Sequence, residues 1–122
     1  MKAMLNDSQP IFQQIAEIIM DDIIEGELKE EEQIPSENDL SQFYGINRAT
    51  VRKGLQLLTD LDLVYKKRGI GMFVKTGAKS ILVRERQKRY LDEFIRPLLK
   101  EAKRIGLDTN SVIQLIKEEE NK

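Results

Sequence analysis

Apolar residues recur at intervals of three and four near the start of the chain, as they do on one face of an amphipathic helix. The residues of this face are Phe12, Ile15, Ile19 and Ile23. Ser8 is the expected cap, Pro10 fits the first turn and Gly26 ends the predicted helix. The opposite face carries carboxylates, which we interpret as solvated surface. Residues 1–7 are expected to form a loose lead-in.

Two shorter helices are predicted next. Ser36 followed by Asp39 at the third helical position is the pattern of a capping box. Gly45 is expected to end this helix in a left-handed conformation, and Asn47 to cap the following one. That second helix is held on the core by Val51, Leu55 and Leu58. Two helices joined by a glycine turn predict a helix-turn-helix.

The polar face of the second helix is cationic. Arg48, Arg52 and Lys53 are expected to be free to point outward, with Thr50 beside them. A helix that docks in the major groove of DNA carries such side chains in its first turns. The other interpretation is an ordinary solvated helix face, which the cap and the preceding helix make the minority view.

A hairpin is predicted after the helix-turn-helix. Residues 63–66 alternate between apolar and polar, residues 67–71 form a turn, and residues 72–74 return as a second strand. The turn region is basic and glycine-containing, with Lys66, Lys67, Arg68, Gly69 and Gly71. A hairpin of this kind is a wing, whose cations can meet phosphates while glycine admits the backbone to a minor groove. The Glu30–Glu32 run before the helix-turn-helix is expected to be solvated surface.

The C-terminal third predicts two more helices after a polar, flexible hinge at residues 75–80. Apolar residues with heptad spacing form a seam that would face another helix. We assign to this dimerisation seam Leu91, Phe94, Ile95, Leu98, Ala102, Ile105, Val112 and Ile116. Pro97 predicts a kink near Arg96, Gly106 ends the helix, and Asp108 or Thr109 caps the last one.

These elements predict a mainly α fold with a small β-wing. A winged helix-turn-helix domain would span residues 1–76, and residues 77–122 would form a hinge and a two-helix dimerisation tail. Such a tail is too small to enclose a drug-sized pocket, but it can pair with its own copy. A small effector site between subunits, near Tyr90 and Phe94, stays open, although aromatic residues at this spacing are more often core.

The amino-acid composition excludes several classes of functional site. The 122 residues contain no cysteine and no histidine, so disulfides and thiolate or imidazole metal sites are excluded. No apolar run is long enough to cross a membrane and no signal peptide is seen, so a cytoplasmic protein is expected. The net charge is −1, yet residues 41–80 hold 8 basic and 2 acidic side chains. This local excess is what phosphate binding requires.

Three classes of function were weighed. The leading hypothesis is a homodimeric transcription regulator, with double-stranded DNA as its partner and no cofactor or metal. A protein-interaction module would instead show an apolar recognition face, and this face is basic. An enzyme is rejected, because the chain has no nucleophile–base pair and no phosphate-binding loop, and Gly69-Ile70-Gly71 lacks the third glycine of a dinucleotide site.

Several motifs resemble the GntR family of bacterial transcription regulators. They are Pro10-Ile11-Phe12, Ile34-Pro35-Ser36-Glu37, Arg48-Ala49-Thr50-Val51-Arg52 and Gly71-Met72-Phe73-Val74. Together they cover about 65 residues in register and form a specific combination, although each is weak alone. The short tail resembles the YtrA-type subfamily, which dimerises through it. That resemblance implies a repressor of a palindromic operator, with a transporter operon as a fitting target.

The resemblance also implies which residues contact DNA. The family's contacts fall on Asn38, Arg48, Thr50 and Arg52, and on Arg68 and Gly69 at the wing tip. The wider candidate set adds Ser36, Asn47, Lys53, Lys66, Lys67 and Gly71. This chain departs from the family in three places: Asn38 replaces a frequent arginine, Asn47 a serine or threonine, and Gly54 an alanine. Asn38 favours adenine over guanine, and Gly54 indicates a close backbone approach.

Overall fold

The computed structural model describes residues 3–122, which divide into two compact units at the boundary between Val83 and Arg84. The first unit contains three helices, a two-stranded antiparallel sheet and the start of a fourth helix. Its elements are α1 (Ile11–Glu25), α2 (Glu37–Tyr44), α3 (Arg48–Asp60), β1 (Val64–Lys67), β2 (Gly71–Val74) and the first part of α4 (Ala78–Tyr90). The predicted order of helices and wing strands is therefore observed.

The core of the first unit lies where α1 contacts α3. Ile15 and Ile19 on α1 are fully buried, as are Val51 and Leu58 on α3. The two helices approach closely at Gly54: a Cβ there would lie 2.7 Å from the main-chain oxygen of Phe12. This approach confirms the expectation drawn from the glycine, and it explains why alanine is not used here.

The start of α1 differs from its prediction. Pro10, not Ser8, is the N-cap residue, and it provides no side-chain cap. The Ser8 main-chain N–H donates instead to Asn6 Oδ1 at 2.8 Å. The buried Gln14 side chain donates to the main-chain oxygens of Asn6 and Gln9 at 2.8 and 2.6 Å. The predicted loose lead-in is thus wrong for Asn6, whereas Met1 and Lys2 lie outside the described residues.

The helix-turn-helix forms as its caps predict. Ser36 Oγ accepts from the Asp39 N–H at 3.0 Å, and the Asp39 carboxylate accepts from the Ser36 N–H, which completes the capping box. Gly45 has φ 66°, a left-handed value that glycine adopts at little cost. Asn47 Oδ1 accepts from the Thr50 N–H at 2.8 Å and opens α3.

The wing is a tight hairpin in which Val64 pairs with Val74 and Lys67 with Gly71. A third segment that the sequence did not predict lies along β2. Gln33 forms an isolated bridge with Phe73, and the Ile34 N–H donates to the Met72 oxygen at 2.9 Å. The connector before α2 therefore supports the wing.

The side chains of the Glu30–Glu32 run are exposed, as predicted, but two of them also form hydrogen bonds within the chain. Glu31 has φ 67°, and its carboxylate accepts from the Tyr65 hydroxyl and from both the N–H and Oγ1 of Thr76. Glu30 accepts from the Gly77 N–H at 3.0 Å. The hydrogen bond from Tyr65, followed by that from Thr76, lowers the pKa of Glu31. The run therefore ties the connector to the wing and to the start of α4.

The first unit extends beyond the predicted boundary after residue 76. Ala78 and Leu82 are buried in its core, and α4 begins at Ala78. Residues 78–80, expected as part of a flexible hinge, are therefore helical. The segment is polar on average, and only two apolar residues anchor it to the core. Because these two are four positions apart, they lie one above the other on a helix.

The second unit contains the end of α4, a π-helical turn (Leu91–Ile95), α5 (Arg96–Arg104) and α6 (Thr109–Glu120). The π turn lies directly before α5, next to the position near Arg96 at which a kink is predicted. Pro97 lies at the second position of α5, where its missing N–H is least costly. Asp108 caps α6 by accepting from the Ser111 N–H at 2.8 Å.

The predicted seam residues fall into two groups. Ala102 and Val112 are buried within the single chain, in the unit where α5 contacts α6, so they are covered without a second copy. The other six remain at least partly accessible: Leu91, Phe94, Ile95, Leu98, Ile105 and Ile116. None of the helices within residues 3–122 combines the length and apolar character of a membrane span.

Replacing Gly54 by alanine should destabilise the protein. Alanine gains up to about 1 kcal/mol of helix propensity, but its Cβ would press on a main-chain oxygen that cannot rotate away. We expect a net loss of roughly 1–3 kcal/mol in urea unfolding. Gln56→Ala, at an exposed position on the same helix, is the control. Equal or greater stability of Gly54→Ala would contradict the close contact.

Glu31→Gln should lower the melting temperature at neutral pH and have little effect in acid. Because the folded pKa of Glu31 is depressed, its charge stabilises the fold above the ordinary carboxyl range, and this contribution is lost as pH falls through the lowered pKa. The melting curves of mutant and wild type should therefore differ at pH 7 and converge in acid, towards pH 3. The exposed Glu17→Gln variant controls for charge. A difference that persists unchanged at pH 3 would remove this role from the carboxylate.

Candidate nucleic-acid interface

The first turns of α3 carry the cations that the sequence singled out. Arg48 and Arg52 are one helical turn apart, and their side chains are 60% and 70% exposed. Val51 and Leu55 of the same helix are buried in the core. The core contact of α3 therefore determines which of its faces is available.

Glu37, the first residue of α2, pairs with both arginines. Arg48 Nε lies 3.2 Å from Glu37 Oε1, and Arg52 donates through Nη2 at 2.8 Å and Nε at 3.1 Å. The hydrogen bond from Arg52 is the main cause of the lowered pKa of Glu37. These contacts fix the guanidinium groups across the helix-turn-helix. Both arginines are exposed, as expected, and both are paired with Glu37.

Lys53 is also exposed, and it also has a partner within the chain. Its Nζ lies 4.1 Å from the centre of the Phe12 ring on α1, a cation–π distance. Thr50 is half-buried, and Asn38 is exposed on α2. Asn47 and Ser36 are exposed, but one side-chain oxygen of each is occupied by its capping hydrogen bond. Their role in the structure is to form the helix ends that orient the arginines.

The wing presents the second group of candidates. Lys66, Arg68 and Gly69 are exposed, and Gly69 has φ 77°. Lys67 Nζ lies 4.4 Å from the centre of the Phe73 ring, so its ammonium group covers the aromatic side of the hairpin. Gly71 is crowded by the Gln33 side chain, which leaves no space for a Cβ. The wing tip is therefore shaped by the connector as well as by its own turn.

A cleft separates the wing from α3. It is lined on one side by Lys66 and Ile70 and on the other by Arg52 and Gln56, with Glu37 at its edge. The cationic groups of the helix and the hairpin thus border one surface feature. Within the described residues, no group of acidic side chains is arranged to hold a metal ion. The surface is suited to bind a polyanion through guanidinium and ammonium groups.

Sequence reasoning missed two residues of this surface. Glu37 entered only through the cap motif and the family motif, with no pairing predicted for it, and no role was predicted for Gln33. The sequence contains an indication for Glu37, since an acidic residue at a helix start opposite two arginines can pair with them. No comparable pattern indicates Gln33, because its contact with Ile70 spans 37 positions.

Comparisons with known proteins agree with this geometry. Residues 11–74, just over half of the chain, match the family model described as bacterial regulatory proteins, gntR family. The mannosyl-D-glycerate transport/metabolism system repressor MngR of Escherichia coli K12 is 36% identical over 67 residues. That match covers 55% of this chain and 28% of MngR. The chain thus spans under a third of this relative's length.

Solved structures extend the likeness beyond the wing. A protein described as a GntR-family transcriptional regulator from Bacteroides thetaiotaomicron is 32% identical, with a TM-score of 0.68. The match covers 88% of this chain and 94% of that one. The DNA-binding domain of AraR in complex with operator ORR3 is 33% identical, with a TM-score of 0.53 over 61% of this chain and 92% of that one.

The family match spans α1, the helix-turn-helix and both wing strands, and the Bacteroides structure shares the mainly α fold with a small β-wing. The resemblance noted from sequence is therefore confirmed at the level of the family. Members of this family are regulators rather than enzymes. The chain belongs to the gntR family of bacterial regulatory proteins.

Proposed function

We propose that this chain is a sequence-specific DNA-binding transcription regulator. The observation that carries the proposal is the cleft at which Arg52 of α3 and Lys66 of the wing meet. In this arrangement α3 enters the major groove while the wing contacts phosphates and the minor groove. The operator complex of AraR, a relative of this domain, supports double-stranded DNA as the partner.

Each candidate residue has a proposed role. Arg48 pairs with guanine, because guanidinium binds guanine O6 and N7 in a bidentate manner. Arg52 and Lys53 anchor phosphates, and Thr50 contacts a base or a phosphate. Asn38 suits adenine. The remaining contacts are supporting or lie on the wing: Ser36, Asn47, Lys66, Lys67, Arg68, Gly69 and Gly71.

The carboxylate of Glu37 affects how the two arginines would bind DNA. Arg48 and Arg52 share one carboxylate at 2.8–3.2 Å, so binding to DNA either keeps this network or exchanges the carboxylate for phosphate. A shared carboxylate also reduces the net charge that a random DNA sequence would meet. The network therefore favours contacts with correctly placed acceptors over indiscriminate attraction.

The proposed active form is a homodimer that binds a palindromic operator. Tyr90, Phe94 and Ile105 are each more than half exposed on the second unit, an apolar surface that a two-helix tail alone does not cover. Pairing of two such tails would form a four-helix arrangement about a two-fold axis. Two copies of α3 would then read half-sites about one helical turn apart.

The proposed biological role is repression in the cytoplasm of a bacterium. MngR is named as a repressor of a transport/metabolism system, and the tail resembles that of the YtrA-type subfamily. A transporter operon is accordingly the proposed target. The proposed function requires no cofactor, and an effector, if one acts, would change the dimer or the position of the wings.

Arg48→Ala should weaken binding to the operator by about 1–3 kcal/mol and change non-specific binding little. The reason is that a base contact contributes only at the correct base pair. Titrations against the operator and against unrelated duplex DNA at one salt concentration measure both affinities. Lys79→Ala, an exposed cation on α4, is the control. Equal losses on both duplexes would assign Arg48 to phosphate contact instead.

Leu98→Asp should convert the dimer to a monomer and reduce operator affinity by about a hundredfold or more, since one half-site cannot supply the affinity of two. Leu98 is 41% exposed in the single chain, so the fold should survive the change. Sedimentation velocity and circular dichroism check mass and folding. Gln114→Asp, exposed on α6, is the matched control. A folded Leu98→Asp variant that remains dimeric would remove this surface from the interface.

A further inference from the structure

The wing tip carries an apolar side chain at a position where turns usually carry polar ones. Ile70 lies between Gly69 and Gly71 and is 64% exposed. Three consecutive cations, all exposed, precede Gly69: Lys66, Lys67 and Arg68. A large aliphatic group is therefore held at the most cationic loop of the first unit.

The main chain of Ile70 is fixed on both sides. Its N–H donates to the Lys67 oxygen at 3.0 Å and closes the turn. Its oxygen accepts from Gln33 Nε2 at 3.1 Å, a contact from outside the hairpin. Gly71, with φ 148°, allows Gln33 to come this close. The main chain at Ile70 is thus held from both sides, while the Ile70 side chain is mostly in solvent.

The chemistry of the minor groove makes an apolar tip selective. A·T pairs present only acceptors on the groove floor, whereas G·C pairs add the N2 amino donor of guanine. An aliphatic side chain cannot accept from that amino group, and it would strip the group of water. Apolar side chains of minor-groove proteins also insert beside base steps, where the same amino group obstructs them.

We propose that Ile70 is a specificity-determining residue that selects base pairs without an exocyclic amino group at the position of the operator that faces the wing. This inference rests on the proposed DNA-binding function. The surrounding cations bring the tip to the groove but do not distinguish the bases. Ile70 discriminates between the base pairs, and Gln33 holds the main chain of Ile70.

The test uses duplexes recovered for this protein by selection from random DNA. Each base pair flanking the α3 contacts is made in turn as A·T, G·C or inosine·cytosine. Inosine keeps the major-groove edge of guanine and lacks only the amino group, so it isolates the minor-groove effect. Affinities are measured for wild type, Ile70→Ser, the conservative Ile70→Val, and Arg68→Ala, with melting curves to check folding.

Wild type should bind G·C at the wing-facing pair about tenfold more weakly than either A·T or inosine·cytosine. Ile70→Ser should reduce that ratio below about twofold, and Ile70→Val should keep it. Arg68→Ala should weaken all three duplexes equally, since it removes a phosphate contact. A preference caused by groove width alone would survive in Ile70→Ser.

Three outcomes overturn the inference. They are specific binding by wild type with no G·C penalty at any flanking pair, a full penalty retained by folded Ile70→Ser, and loss of the penalty in Arg68→Ala alone. The first leaves the proposed function intact and removes only the role of Ile70. Absence of any sequence-specific binding would instead remove the proposed function itself, and the inference with it.

Discussion

The contact between α1 and α3 is the constraint on which the rest of the structure depends. Gly54 lets the two helices approach until only a hydrogen atom fits between α3 and the Phe12 main chain. Because Val51 and Leu58 are buried by this contact, the part of α3 that stays exposed is the part that carries Arg48 and Arg52. The orientation of the candidate interface is thus a consequence of core packing.

Two carboxylates also connect the elements that carry the candidate interface. Glu37 joins the two arginines to α2, and Glu31 joins the connector to the wing through Tyr65 and Thr76. In the acidic N-terminal third of the chain, such side chains position elements of the basic surface. The ion pairs of Glu37 are exposed and contribute little to stability, so their main effect is on geometry. The arginines of α3 are held by Glu37 and the wing is held by Glu31, and both carboxylates come from other segments of the chain.

The sequence predicted the parts of this molecule that depend on local chemistry. Helical spacing, the Ser36 and Asn47 caps and the left-handed Gly45 are decided within a few residues, and all were predicted correctly. The misses depend on distant partners. The pairing of Glu31 with Thr76 and of Gln33 with Ile70 spans 45 and 37 positions, which no local pattern encodes. The proposed seam was predicted from heptads, yet Ala102 and Val112 are covered by their own chain.

The central claim is that α3 and the wing read a specific DNA sequence as a symmetric pair. Selection of binding sites from random duplex DNA at near-physiological salt tests it most directly, because affinity for DNA depends strongly on salt. The account predicts an enriched palindrome whose half-sites lie about one helical turn apart. Binding without enrichment, which merely weakens as salt increases, would contradict it and reduce the cationic face to a non-specific surface.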